Sequence, residues 1–283
     1  MFNLNFIMKK ILFFLITLIV GLTIFSCKKD ALQESTLENV THQQEINNDE
    51  EPHANYSDED RKIINYMIEN FNYSIDDIIV TDEFIFVEGD IMYPKGKSFW
   101  DNYTSKETIS RVHYRSNYLV TQITTIPILL HNVSSDWRNA VIAAANEWNN
   151  LNGSIRFSVN SNPNHSTTVG INLQHYNYGS NMGHIIASAF HPTSSGYPGN
   201  MMYINDDYNG VLTASDKKFT MVHELGHAIG FEHTDGNHGS SITNVGWWCR
   251  TFSNSSSVMV AALPVGGWNG FSSCDVQAFN ALY

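Results

Sequence analysis

The stretch VHELGHAIGFEHTD, residues 222–235, carries the most specific pattern in the chain. His223 and His227 are four residues apart, so on a helix they lie one turn apart on the same face and can hold one metal ion. Glu224 lies about 100° further round the helix, where its carboxylate approaches the ion's open side without binding it. The pattern therefore predicts a helix that carries a metal centre.

His233 is the third candidate ligand, although it lies ten residues after His223. On a straight helix this separation is about 15 Å, which is too far for a shared ion. Gly230 tolerates the left-handed conformation that ends a helix, so the chain can turn back and bring His233 to the other two rings. Three imidazoles in an open tetrahedral site favour zinc, with nickel and copper as alternatives. A helix with ordinary surface histidines is the plain alternative.

The sequence around this stretch predicts an α+β fold with a mixed twisted sheet. Thr213 and Ser272 each precede an aspartate by three residues, which is the spacing of a capping box at the start of a helix. Apolar residues at helical spacing predict another helix over residues 134–151. Short β-rich segments predict strands over residues 119–130, 154–159, 168–174, 185–190 and 200–204. Together these elements form one predicted domain, residues 118–283.

A smaller α+β unit is predicted over residues 58–117. Ser57 and Asp60 form a capping pair, and apolar residues follow them at helical spacing. Two β-rich segments, residues 84–87 and 91–93, flank the short stretch from Glu88 to Asp90, which predicts a hairpin or a bulged strand pair. We interpret this unit as a pro-region that ends between residues 95 and 117.

The N-terminus has the features of an export signal. Lys9 and Lys10 precede an apolar run, and the signal is predicted to span residues 1–26. The end of this run resembles a bacterial lipoprotein processing site, so Cys27 is a candidate for lipid attachment and membrane anchoring. Ordinary signal cleavage is the alternative. We expect either a membrane lipoprotein, at the outer membrane or cell surface, or a secreted protein.

Charge and cysteine content bear on the tether, on nucleic-acid binding and on a disulfide. The net charge is −12, and residues 27–57 are acidic, polar and without period, which predicts a flexible tether. Nothing basic indicates nucleic-acid binding. In an oxidising compartment Cys249 and Cys274 remain as a pair, so we expect a disulfide between them. We expect a monomer.

The metal-binding stretch resembles that of the metzincin metallopeptidases, and specifically that of the bacterial dual-action HEIGH group. Ser257 to Met259 resembles the methionine turn that lies beneath the zinc in this clan. The segments ASAFHP at residues 187–192 and NMMYINDDY at residues 200–208 are similar to the edge strand and the following strand of matrixin-type members. The C-terminal SCDVQAFNALY is similar to their closing helix. The resemblance implies a metzincin-like catalytic domain with one zinc ion.

The same resemblance implies roles for individual residues. The zinc ligands would be His223, His227 and His233, with Glu224 as the catalytic base. The edge strand, with Ile185, Ala187 and Ala189, would hold an extended peptide substrate by main-chain hydrogen bonds. The reaction would be cleavage of internal peptide bonds in proteins or peptides. A surface lipoprotein that keeps the metal helix only for binding, and a zinc hydrolase of non-protein amides, are the alternatives.

The sequence departs from related groups at several positions. No tyrosine follows Met259 where some metzincins have an auxiliary one, and Ser188 stands where many matrixins have a structural zinc ligand, so a second zinc is not expected. Asp206 and Asp207 are weak candidates for calcium binding, and a solvated turn is the preferred interpretation. Three further histidines are interpreted as loop residues rather than ligands: His184, His191 and His238.

The turn of the N-terminal hairpin carries a further resemblance. FVEGDI, residues 86–91, resembles the astacin pro-segment motif, with one extra residue between Phe86 and Gly89. In that motif an aspartate binds the zinc and blocks the enzyme. The resemblance implies that Asp90 keeps this protein latent. An ordinary turn aspartate is the alternative.

Overall fold

The structure is a computed structural model that describes residues 56–95, 113–160, 169–178, 182–236, 238–251 and 254–283. These residues belong to one compact unit, Pro52–Tyr283. The predicted signal peptide, Cys27 and nearly all of the predicted tether lie outside the described residues. Within the described ranges, no helix is both long and apolar enough to cross a membrane.

Four of the five helices in the described segments begin after a capping residue. Thr213 and Ser272 each form a complete capping box with the aspartate three residues later, and the Ser57 side chain accepts a hydrogen bond from the Asp60 amide. These bonds satisfy amide groups that a helix start leaves without partners. The helices are α1 (Asp58–Phe71), α2 (Ser135–Asn149), α3 (Ala214–Ile229), α4 (Trp247–Thr251) and α5 (Ser273–Leu282).

In the part of the chain that the structure describes, the strands form a mixed sheet and a small separate pair. The strands are β1 (Ile78–Val80), β2 (Phe84–Val87), β3 (Ile91–Pro94), β4 (Tyr114–Arg115), β5 (Thr125–His131), β6 (Arg156–Asn160), β7 (Ile171–Tyr176), β8 (Ala187–Phe190), β9 (Met201–Asn205) and β10 (Ser240–Ser241). The larger sheet has eight strands in the order β1-β2-β3-β8-β9-β7-β5-β6, and β4 pairs with β10. The N-terminal hairpin is therefore part of the same sheet as the strands that follow it.

The position of β8 differs from the expectation that it forms a sheet edge. In the intact chain β3 pairs with β8 in parallel, with Ile91 opposite Ala189 and Met92 opposite Phe190. On its other side β8 pairs antiparallel with β9. Ile185 precedes the strand rather than lying in it. β3 thus covers the side of β8 that the sequence predicts to be available to a substrate.

The long strand predicted over residues 119–130 is also corrected, because β5 begins only at Thr125. The preceding backbone makes hydrogen bonds elsewhere. The Val120 amide donates to the Tyr283 hydroxyl, and the amides of Thr121 and Gln122 donate to the Gly196 carbonyl. A β-rich composition does not show whether the backbone amides bond to a neighbouring strand or to distant groups such as these, so the strand was predicted too long.

The main core lies between the sheet and the helices α2 and α3. Trp137 and Trp148 of α2 are 0% and 1% exposed, and the Trp148 indole donates to the Val222 carbonyl of α3 at 3.0 Å. A second core cluster packs α1 against the N-terminal hairpin. A third cluster joins Phe86 and Met92 of the hairpin to residues of the following domain: Tyr178, Met182, Ile185 and Tyr203. Apolar packing therefore attaches the hairpin to the rest of the protein.

Candidate metal centre

Helix α3 places the first two histidines of the predicted centre. His223 and His227 are 4% and 0% exposed, in a helix that is buried along most of its length after Lys217. Their Nε2 atoms are 2.9 Å apart. This arrangement is the consequence of the four-residue spacing on a regular helix.

Gly230 ends helix α3 and reverses the chain. Its φ is 103°, in the left-handed region, and the Phe231 amide donates back to the Gly226 carbonyl at 3.0 Å. A Cβ atom at Gly230 would lie 2.8 Å from the Tyr118 carbonyl oxygen, so glycine is required by space as well as by conformation. The reversal brings His233 Nε2 to 3.1 Å from the Nε2 atoms of both other rings.

The hydrogen bonds of the Nδ1 atoms show which ring nitrogen of His223 and His227 is free to bind a cation. His223 Nδ1 lies 2.7 Å from the Val258 carbonyl oxygen. His227 Nδ1 lies 2.8 Å from the Phe231 carbonyl oxygen. A carbonyl only accepts, so each Nδ1 carries the proton and each Nε2 keeps its lone pair. Lone pairs that converge at this distance repel one another unless a cation lies between them.

Asp90 is the fourth member of the cluster. One oxygen, Oδ2, lies 3.1 Å from His223 Nε2, and the other, Oδ1, lies 3.1 Å from His233 Nε2. The four possible ligand atoms lie within 4.8 Å of one another. Burial raises the pKa of Asp90, but the charge of His233 and the hydrogen bonds with the histidines outweigh burial and hold that pKa well below its usual value. Three imidazoles and one carboxylate are a donor set that suits zinc.

Glu224 lies beside this cluster without joining it. Its side chain is 2% exposed, and its Oε2 atom has no hydrogen-bond partner among the described residues. Burial, followed by the charge of Asp90, raises the pKa of Glu224 well above its usual value. A carboxylate with a raised pKa is suited to exchange protons near neutral pH.

The methionine turn lies below α3. A Cβ atom on Gly226 would collide with the Met259 sulfur, so the helix and the turn are in close contact. The Val258 amide and the Ser257 hydroxyl donate to opposite oxygens of Asp275, at 3.1 and 2.5 Å. The Val258 carbonyl in turn accepts from His223. Asp275 therefore connects the start of α5 to the orientation of a predicted ligand.

Residues 85–283 match the dual-action HEIGH metallopeptidase family. The chain belongs to this family. It is accordingly a zinc metallopeptidase, and the α+β fold, the zinc cofactor and the hydrolase activity predicted from the sequence are confirmed. The match begins within β2, so it includes the turn that carries Asp90.

Two solved structures are similar to this HEIGH metallopeptidase at low sequence identity. Myroilysin is 16% identical, with a TM-score of 0.39, over 58% of this chain and 82% of the myroilysin chain. High choriolytic enzyme 1, a hatching-enzyme zinc protease from the medaka fish Oryzias latipes, is 17% identical, with a TM-score of 0.38, over 58% of this chain and 92% of its own. No match was found among curated protein sequences.

Glu88 is a residue of the centre that sequence reasoning missed in this HEIGH metallopeptidase. Its Oε2 atom lies 3.0 Å from His233 Nδ1, and its Oε1 atom lies 2.7 Å from His238 Nε2. Burial raises the pKa of Glu88, but its hydrogen bonds with both histidines outweigh burial and lower that pKa to about 2. The sequence offers only a second acid near Asp90 as a signal, and acids are common in turns.

The three histidines interpreted as loop residues lie near the metal cluster but are not members of it. His191 is buried, with Nδ1 3.2 Å from the Tyr93 hydroxyl and 3.4 Å from Glu232. Its ring centroid is 5.5 Å from that of His227, and it is not part of the metal cluster. His238 is buried against Glu88, and His184 lines the cleft above the cluster.

A cleft of about 140 Å³ opens beside the metal cluster of the HEIGH metallopeptidase. The cleft contains Asp90, His223 and Glu224, and much of its remaining wall is apolar. That wall comes from α3, from the start of β8 and from the segment after the methionine turn: Phe219, Ile185, Ile186, Ala187, Val260 and Leu263. Space for a substrate chain therefore lies next to the cluster, and the N-terminal turn occupies part of its rim.

The structure also places the cysteine pair, Ser188 and the two aspartates that the sequence singled out. Cys249 and Cys274 are joined by a disulfide, with Cα atoms 5.4 Å apart. The Ser188 hydroxyl lies 2.6 Å from the Tyr178 hydroxyl. Asp206 and Asp207 lie in a short 3-10 turn that is capped by the Asn205 side chain, and calcium binding there stays a prediction.

Proposed function

We propose that this zinc metallopeptidase cleaves internal peptide bonds, with His223, His227 and His233 as zinc ligands and Glu224 as the catalytic base. The observation that carries the proposal is the convergence of three histidine Nε2 atoms beside the buried Glu224, whose Oε2 atom has no hydrogen-bond partner among the described residues. Bound zinc would supply Lewis acidity, which polarises a carbonyl group and makes water more acidic.

The residues of the chain then have separate tasks. Glu224 takes a proton from water and passes it to the leaving amine, because its buried carboxylate lies beside the cluster and its Oε2 atom has no other partner among the described residues. The backbone of β8 would bind the substrate as an added strand once β3, which pairs with β8 in the intact chain, has moved away. The apolar cleft wall accepts an uncharged side chain next to the cleaved bond.

Replacing two of these residues separates catalysis from metal binding. Glu224→Gln removes the base but leaves the three rings, so we expect normal zinc content and at least a hundredfold loss of peptide cleavage. His227→Ala removes a ligand and is expected to lose both zinc and activity. Both are measured on a peptide library, with zinc content by atomic absorption. Proteolysis retained by purified Glu224→Gln protein would overturn the assignment of the base, and zinc-independent cleavage would favour another hydrolase mechanism.

We also propose that the intact chain is a latent precursor. Asp90 lies where it would take the fourth zinc position, and the Ala189 amide donates to the Asp90 carbonyl at 3.1 Å. β3 then continues along β8 and uses the main-chain groups that a substrate would need. One short segment would therefore block both the metal, through Asp90, and the predicted substrate strand β8, through β3.

The latency proposal is tested with the full chain. Asp90→Asn lowers the negative charge at the cluster, so we expect tighter binding of a small hydroxamate to the metal, by about tenfold or more, and higher basal cleavage. Asp76→Asn changes an exposed acid of the same unit and serves as the matched control. Equal hydroxamate binding by wild type, Asp90→Asn and Asp76→Asn would contradict the proposal.

Export and lipid anchoring are a further part of the proposal. They rest on the N-terminal residues alone, Lys9, Lys10, the apolar run and Cys27. Wild-type protein is expected in the detergent phase of a membrane extract, with the mass of a lipid on Cys27. Cys27→Ser is expected to shift the protein to the aqueous phase, and an unchanged partition would contradict lipid attachment at this residue.

A further inference from the structure

The three rings of the metal cluster are held in two different ways. His223 and His227 donate from Nδ1 to backbone carbonyls of residues 258 and 231, which belong to the predicted catalytic domain itself. His233 Nδ1 instead faces a carboxylate, Glu88 Oε2, at 3.0 Å. That carboxylate comes from the N-terminal hairpin, 145 residues earlier in the chain. One ring of the cluster therefore depends on the segment that also covers the site.

The Glu88 carboxylate is itself held in place from a second direction. Its Oε1 atom lies 2.7 Å from His238 Nε2, and the His238 ring packs on Tyr73 with centroids 4.6 Å apart. A Cβ atom on Gly236 would lie 2.8 Å from Glu88 Oε1, so the loop after His233 closely surrounds the carboxylate. Glu88 of the hairpin is thus bound to two histidines of the segment that follows α3.

The backbone at Glu88 is held in a conformation that disfavours a side chain. Its φ is 51°, in the left-handed region, although it is not a glycine. Such a conformation costs on the order of 1 kcal/mol and persists when the surroundings impose it. In this conformation the Glu88 side chain is bonded to His233 and His238.

We infer that Glu88 is a positioning residue, which orients His233 and thereby increases the affinity of the centre for zinc. The inference rests on the proposed assignment of the three histidines as ligands. A carboxylate on the Nδ1 proton fixes the ring orientation and makes Nε2 a stronger donor, and loss of such a partner costs about 10- to 100-fold in metal affinity. The N-terminal turn then acts on the metal centre from two sides. Asp90 closes the metal from the Nε2 side, and Glu88 strengthens its binding from the Nδ1 side.

This arrangement links latency to zinc retention. Movement of the hairpin away from the site would remove the block by Asp90 and the support by Glu88 in one step. We therefore expect zinc to leave more readily from a protein whose hairpin is detached than from the intact chain. Glu88 would act on zinc retention without touching the substrate.

The test measures zinc affinity in the full-length chain by competition with a chromophoric chelator. Glu88→Ala should raise the Kd for zinc by about 10- to 100-fold, and Glu88→Gln, which keeps an acceptor oxygen but no charge, should lie between Glu88→Ala and wild type. Glu83→Ala changes an exposed acid of the same hairpin and should leave the Kd within about twofold. Glu88→Ala or Glu88→Gln proteins with the affinity of Glu83→Ala would overturn the inference.

Cobalt substitution distinguishes positioning from general stabilisation. The visible spectrum of bound cobalt reports ligand geometry, so the Glu88 variants should shift that spectrum while their far-UV circular dichroism matches wild type. If Glu88→Ala does not fold, the isosteric Glu88→Gln carries the test. His227→Ala is measured in the same assay. Zinc retained at wild-type affinity by His227→Ala would refute the assignment of the metal ligands. If the Glu88 variants keep the wild-type zinc affinity while His227→Ala loses its zinc, only the role of Glu88 is refuted.

Discussion

Gly230 carries the strictest local requirement of the metal centre. Its positive φ and the nearby Tyr118 carbonyl exclude any Cβ atom without a shift of the backbone. The direction in which the chain leaves α3 decides whether His233 reaches the other rings. A single residue without a side chain thus determines whether three ligands or two are available.

We predict that Gly230→Ala destabilises the fold and weakens zinc binding together. The left-handed conformation and the contact with Tyr118 should cost about 1–3 kcal/mol in the free energy of unfolding, and His233 should be displaced. Denaturant unfolding and chelator competition measure the two effects. Gly210→Ala, where a Cβ atom meets nothing within 4 Å, is the control and should change neither. Wild-type stability and zinc affinity in Gly230→Ala would contradict this prediction.

His191 is a buried residue whose protonation opposes folding. Burial, followed by the charge of His233, lowers the pKa of His191 to about 3. The unfolded chain takes up the proton below pH about 6.5, while the folded chain resists it until about pH 3. A depressed pKa of a histidine therefore means stability that is present above pH 6.5 and decreases as the pH falls toward 3.

We predict that metal-free wild type loses about 2 kcal/mol of this contribution between pH 7 and pH 5. His191→Gln keeps a polar side chain without a titrating ring, so its free energy of unfolding should fall less over this interval. His131→Gln, at the end of β5, is the control and should retain the wild-type slope. The slope is measured by urea unfolding at several pH values. Equal slopes in wild type and His191→Gln would refute the assignment.

At the scale of elements, the start of α5 joins three separate segments. Ser272 caps the helix, Cys274 is bonded to Cys249 of α4, and Asp275 accepts from the methionine turn. The His113 ring lies 3.1 Å from the same carboxylate. The first turn of the last helix therefore stabilises the methionine turn, which lies below α3.

We predict that replacing both cysteines by serine lowers the free energy of unfolding by about 3 kcal/mol, because the disulfide closes a loop between cysteines 25 residues apart. The loss should appear as a lower urea midpoint under oxidising conditions. Wild type with dithiothreitol should approach the variant, and the variant itself should not respond to dithiothreitol. A stability difference below about 0.5 kcal/mol would mean that the bond constrains little in the unfolded chain.

At the scale of the whole molecule, the N-terminal hairpin and the metallopeptidase strands share one sheet. Phe86 is fully buried, and its ring centroid lies 5.9 Å from that of Tyr178 in the following domain. Main-chain pairing of β3 with β8 adds to this packing. The two parts therefore support each other's folding.

We predict a single unfolding transition for the described unit. Five of the six tryptophans lie at residues 137–268, so tryptophan fluorescence mainly reports the domain that follows the hairpin. Backbone circular dichroism reports the hairpin as well, and the two curves should coincide. Phe86→Ala should lower the common midpoint, at a cost of about 3–5 kcal/mol. The exposed Val211 provides the control, since Val211→Ala should cost less than about 0.5 kcal/mol. Two resolved transitions in wild type would contradict the shared-sheet arrangement.

The sequence alone predicted the features that depend on short stretches of chain. The two histidines of α3, the reversal at Gly230 and the capping boxes at Thr213 and Ser272 were predictable, because hydrogen bonds within a few residues decide them. The zinc metallopeptidase family followed from the same short pattern. The hairpin turn at residues 88–90 was also predictable from its β-rich flanks.

Only the tertiary structure decided which distant segments meet. The pairing of β3 with β8, the contact of Glu88 with His233 and the bonds of Asp275 to the methionine turn join residues far apart in the chain. No local period or cap encodes such a contact, since it depends on how apolar faces such as that of Phe86 pack together in three dimensions. For this reason β8 was expected at the edge of the sheet and lies inside it.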